Sequence, residues 1–223
     1  MSTDRRSFLT KLGAGVTVAG VGRVELASAQ TASSSFTPAK HAQDDWMDRI
    51  PGKHRMVIDT TTPASFGAAL AYANNFLTAS AEYGLKDSDN AVIIVARHFA
   101  TTFAYNDAMW AKYGKFLPPF AALDDPKTKQ RAAINLFAAS GYQELPNMGT
   151  TITEVTGKGI HFAVCNLATT FFAGMLAQAS GGKQPDVYKE LAANLIGNSH
   201  LAAAGIVAVN RAQEHGFTLA TAT

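Results

Sequence analysis

The chain contains one cysteine, Cys165, and its setting is the clearest chemical signal in the sequence. It closes an apolar run, Ile160 to Val164, that follows a Gly-Lys-Gly turn and suits a strand buried on both faces of a parallel sheet. From Ala168 to Ala179 the residues Phe171, Phe172, Met175 and Leu176 form an apolar stripe at helical spacing, ended by Gly181-Gly182. A cysteine at a strand-to-helix junction lies beside the first unpaired N–H groups of the helix, whose partial positive charge favours a thiolate. The alternative is a small hydrophobe buried at a strand end. His98 follows another β-branched run, Asn90 to Ala96, and as an imidazolium it would favour the thiolate further; otherwise it is a hydrogen-bonded residue of a polar crevice. Asp59 ends a third run, Arg55 to Asp59, and is expected to brace the turn Thr60-Thr61-Thr62-Pro63.

Other chemistries find less support. Cys165, His98, His161 and Met109 are donors suited to copper or haem iron, yet none sit at the short intervals of a preformed motif. His161 and Cys165, four residues apart on a strand, share a face but lie far from each other. A non-catalytic module that binds a small ligand in a crevice is a third reading. A Gly-x-Ser-x-Gly elbow, a phosphate loop and paired glycosidase-type carboxylates are absent from the sequence, so hydrolase and NTPase readings lack a basis.

The elements that position these residues alternate between strand and helix. After the strand at Arg55 to Asp59, a helix is expected over Ser65 to Tyr83 with Ser65 as its cap and Gly84 as its stop. Asn106-Asp107 cap a short helix, Ala108 to Tyr113. Residues 116 to 158 read as an inserted lid containing a helix from Lys127 to Ala139. Beyond Cys165 come a helix over Pro185 to Ile196, a strand over Ser199 to Ala203, a helix over Gly205 to His215 and a closing edge strand, Phe217 to Thr221. Such alternation predicts an α/β fold, a flavodoxin-like or Rossmann-like three-layer sandwich with a mostly parallel five-stranded sheet. In that architecture ligands bind outside the carboxyl ends of the strands, where Asp59, His98 and Cys165 all fall.

Residues 1 to 29 read as an address. Arg5-Arg6 precede a weakly hydrophobic Gly- and Ala-rich stretch, Leu12 to Val24, which ends in the small-residue site Ala27-Ser28-Ala29. The arginine pair marks the twin-arginine type, so export to the periplasm is expected. The segment holds Arg5, Arg6, Lys11 and Arg23 against Asp4 and Glu25; removing four basic residues from 19 and two acidic from 17 leaves fifteen of each. The mature chain is formally neutral, which gives no basis for a nucleic-acid partner. Nothing else reaches the roughly 18 apolar residues of a membrane span. Residues 30 to 53 read as a flexible tether, with Asp44 to Ile50 as a short helix carrying Trp46 and Ile50 onto the domain of residues 54 to 223.

The strand leading to Cys165-Asn166, the stretch Ala91 to Tyr113 with Arg97-His98-Phe99 and Asn106-Asp107-Ala108-Met109-Trp110, and the segment Ala203 to Gly216 with Asn210-Arg211-Ala212-Gln213-Glu214-His215 resemble the DsrE/DsrF-like proteins of sulfur relay. The resemblance covers most of residues 54 to 223. It implies a five-stranded flavodoxin-like layout, homo-oligomers, and a cysteine after the third strand that carries sulfane sulfur as a persulfide; here that position is Cys165. The implied partners are a sulfur donor and an acceptor thiol, with no cofactor. With no second cysteine to resolve a disulfide, a carrier fits better than an oxidoreductase. Two departures from the family are the export signal and the longer insertion.

Overall fold

The computed structural model describes residues 37–222. The twin-arginine segment and the start of the tether lie outside them. Five parallel strands, β1 His54–Thr60, β2 Asn90–Ala96, β3 His161–Cys165, β4 Ser199–Ala202 and β5 Thr218–Thr221, form one sheet in the order β4-β3-β2-β1-β5. The protein is an α/β three-layer sandwich, as the alternating pattern predicts. β2 is central, and all seven of its residues are buried, which is why Ala91 to Ala96 reads as an unbroken apolar run.

The helices are α1 Trp46–Arg49, α2 Pro63–Ala81, α3 Asp107–Tyr113, α4 Ile152–Gly157, α5 Asn166–Ser180, α6 Gln184–Ala193 and α7 Gly205–Glu214. Alternate strand residues divide the core between two faces. On one, Ile58, Val92, Ile94, Phe162 and Val164 pack against α2, α5 and α6, with Phe66 at the centre of an aromatic group that includes Phe103, Phe137 and Phe162. On the other, Val57, Ile93, Val95 and Ala163 pack against Ala208, Val209 and Ala212 of α7. α2 begins earlier than expected: Pro63 occupies its first turn, Thr62 is the N-cap, and Ser65 reciprocates by accepting from the Thr62 N–H.

The insertion is packed, and its expected helix is missing. Lys127 to Ala139 forms turns instead, because Asp124-Asp125-Pro126 starts a tight loop in which Asp125 takes the Lys127 N–H and Arg131 returns to Asp124. Asn135 is fully buried and donates to the carbonyls of Phe103 and Tyr105. Phe137 fills the space over Gly67, where a side chain would collide with its ring.

The second face is completed by a strap, Ala42 to Ile50. Trp46, Met47 and Ile50 are buried against it, and the Arg55 guanidinium donates to the carbonyls of Met47 and His215. Asp48 meets the His215 ring at 2.7 Å, and this bond, followed by that to Lys40, lowers the Asp48 carboxyl to about 2. Trp46 stacks on His200 at 3.9 Å between ring centres, and His200 Nε2 lies 3.1 Å from His161 Nδ1. Burial holds both imidazoles below their ordinary value, His200 at about 4, with His161 and Arg49 adding repulsion. The unfolded chain protonates His200 near 6.5 while the folded chain keeps it neutral to about 4, so stability present above that upper value is lost as pH falls through the window. Urea midpoints at neutral pH and near pH 5 are therefore expected to differ more for the wild type than for His200→Phe, which keeps the stack.

Candidate functional site

β3 and β4 are neighbours, but the chain leaves them in opposite directions. α5 and α6 cover the first face after β3, and α7 covers the second after β4. The carboxyl ends of these two strands therefore form the topological switch point of the sheet, where a crevice opens by construction. A cavity of about 360 Å³ occupies it. Cys165 and the first turn of α5 make one wall and Ala204 to Ile206 at the start of α7 another, while Arg97, His98 and Phe99 close it from the end of β2. The walls are mostly apolar, with Leu167, Phe171 and Ile206 partly exposed at the rim.

Cys165 is the N-cap of α5. Its Sγ accepts the Ala168 N–H at 3.4 Å, and its carbonyl accepts the Thr169 hydroxyl at 3.0 Å. It is 7% exposed, all but buried yet on the cavity wall. The sulfur thus sits where the N–H groups of a fifteen-residue helix converge, as the junction pattern in the sequence predicts. The start of α7 has no side-chain cap, so a second helix N-terminus lines the same cavity.

Arg97 is the permanent cation here. Its Nε and Nη2 form a two-pronged pair with Asp59 at 2.7 and 2.8 Å, leaving Nη1 without a protein partner among the described residues. Hydrogen bonding to Asp59 raises the guanidinium above its usual value. Asp59 thus holds Arg97 in place and does not brace the following turn, which Ser65 supports. Gly205 lies directly over the Arg97 stem, and a Cβ there would overlap the Arg97 Cβ. Gly205→Ala is expected to push Arg97 or α7 aside and to lower stability by about 1–3 kcal/mol in a thermal melt.

His98 lies at the cavity mouth, exposed, with a left-handed backbone (φ 51°) and its ring edge-on to Phe99. No hydrogen bond joins it to Cys165. The other donors named for a metal do not converge: Met109 is in the core, and His161 pairs with His200 beneath Trp46, toward the opposite end of β3. Among the described residues no three His, Cys, Asp or Glu side chains could hold a metal ion together. The insertion, residues 116 to 158, supplies no residue of the cavity wall, and its Phe120 packs on Phe99 of that wall.

Sequence reasoning missed Arg97, although the signal was present. Asp59 stands one residue before the end of β1 and Arg97 just past the end of the adjacent parallel strand β2, so pairing β1 with β2 brings opposite charges together. Fold and site together define an α/β protein with a thiol in the switch-point cavity. No protein-family model, no curated protein and no solved structure matches the chain. No helix among the described residues is long and apolar enough to cross a membrane.

Proposed function

We propose that this is an exported sulfane-sulfur carrier of the DsrE/DsrF type, loaded as a persulfide on Cys165. The observation that carries the reading is the placement of Cys165 at the start of a long helix, on the wall of a switch-point cavity that also holds Arg97. The Cys165 thiolate attacks the outer sulfur of a donor. A new S–S bond forms as the donor's own S–S bond breaks, its electron pair leaving on the donor's remaining sulfur. An acceptor thiolate then attacks the outer sulfur of Cys165-S-SH; the new S–S bond forms as the old one breaks, the acceptor leaves as its persulfide and the Cys165 thiolate is restored, with no net oxidation. The free edge of Arg97 and the uncapped start of α7 offer stabilisation to the negative charge that departs with the donor.

The apolar walls favour one other reading, a module that binds a small apolar ligand without chemistry. Intact mass separates the two. Protein treated with polysulfide and freed of excess reagent is expected to carry one added sulfur that reductant removes. Unmodified protein after treatment would leave only the binding module.

A further inference from the structure

The cavity beside Cys165 offers a ligand apolar surface and one permanent cation. Leu167, Ala168, Phe171, Phe172, Ala204 and Ile206 supply most of its wall, and the polar side chains in that wall are those of Arg97, His98 and Cys165. Among the described residues no carboxylate, amide or hydroxyl side chain lines it. A donor built like glutathione persulfide, with its carboxylates, ammonium and peptide groups, would lose the hydration of most of these without return. The volume, about 360 Å³, stands near the lower end for ligand pockets and suits a single small apolar group.

The cation narrows the choice further. A guanidinium carries five N–H donors in one plane. Asp59 takes those of Nε and Nη2 along one side. The end of the group keeps a parallel pair, one N–H on Nη1 and the second of Nη2, with no protein partner among the described residues. Such a pair grips two oxygens of one anion. Because Asp59 holds the other side and Gly205 lies over the Arg97 stem, that end is oriented before a ligand arrives.

We propose that the sulfur donor is a small thiosulfonate, an alkyl or aryl group joined to a sulfonyl sulfur that bears the terminal sulfane sulfur. The proposal deepens the carrier reading above and rests on it. The apolar group lies against the walls, the sulfonyl oxygens meet the free end of Arg97, and the terminal sulfur faces Cys165. The Cys165 thiolate attacks that terminal sulfur. A bond from Sγ to it forms as its bond to the sulfonyl sulfur breaks, and the electron pair of the broken bond leaves on a sulfinate. No outside oxidant or reductant takes part. Arg97 eases the approach of two anionic sulfurs and then holds the sulfinate, whose charge is spread over two oxygens. Thiosulfate shares this chemistry but puts a third oxygen where the apolar group would be, against Leu167 and Phe171.

Sulfur loading of the wild type is followed by intact mass with benzenethiosulfonate, methanethiosulfonate, thiosulfate and inorganic polysulfide. Each rate is divided by that of the same reagent with N-acetylcysteine, which removes intrinsic reactivity. Benzenethiosulfonate is then expected to load about tenfold or more faster than thiosulfate, with methanethiosulfonate between them. Phe171 is 54% exposed at the rim, and Phe171→Ser is expected to narrow the benzenethiosulfonate-to-thiosulfate ratio about threefold. Equal normalised rates, or thiosulfate ahead, overturn the thiosulfonate assignment, while loading by polysulfide upholds the carrier. No loading by any of the four overturns both. Cys165→Ser gives a readout free of thiol chemistry: benzenesulfinate, the product of transfer, is expected to raise its thermal midpoint where sulfite does not. Absence of that shift overturns the assignment whatever the thiol does.

Discussion

Serine in place of Cys165 is expected to abolish sulfur loading while leaving the fold as stable as before or slightly more so. The two outcomes have separate causes. Loading needs a polarizable nucleophile, and a serine hydroxyl at the same position has no general base within hydrogen-bonding reach, since among the described residues Sγ bonds only the Ala168 N–H. The cap, by contrast, improves. Sγ accepts the Ala168 N–H at 3.4 Å, a weak bond, and serine is among the best residues at an N-cap. A gain of up to about 1 kcal/mol in urea unfolding, with no sulfur adduct in the mass spectrum, is the expected pattern. A loss of several kcal/mol would mark Cys165 as a core residue instead, since the apolar sulfur would then have mattered through packing.

The second large effect is expected at Arg97. In Arg97→Gln the Asp59 carboxylate, only 12% exposed at its side chain, loses both of its charged hydrogen bonds. Leaving a half of such a pair in place is expected to lower stability by about 2–4 kcal/mol. Loading is expected to slow by about 10- to 100-fold, because the charge released with the donor no longer meets a cation. The double variant Asp59→Asn with Arg97→Gln separates these effects. It removes the stranded carboxylate and recovers much of the stability in urea, but loading stays slow. If loading returned with stability, Arg97 would be a brace for the strand ends and nothing more.

Much of this architecture is legible in the sequence, for reasons that differ by element. β2 and β3 are buried on both faces, so past their first residues, Asn90 and His161, their runs are apolar. α5 is framed by Cys165 and by Gly181, whose left-handed backbone (φ 75°) ends the helix as its sequence position suggests. Residues 127 to 139 mislead because their helix propensity is ordinary and local, whereas the partners that shape them are distant. Asn135 bonds to carbonyls about thirty residues earlier in the chain, and Asp107 takes its N–H. At the site, Cys165 and His98 are found from their strand ends. Arg97 is not, since what distinguishes it is a cross-strand partner.

The strap also constrains the order of folding. Its anchors are remote: Asp48 reaches His215 across 167 positions, and Trp46 lies on His200. Neither contact can form until β4 and α7 are in place, unlike the local bond of Arg55 to the Met47 carbonyl. Pairings so distant in sequence contribute little to an early nucleus, where the entropy of closing the intervening loop is still unpaid. The stacking of Trp46 and the pairing of Asp48 thus come after the elements near the end of the chain are in place. A seated Trp46 is the mark of a chain already complete.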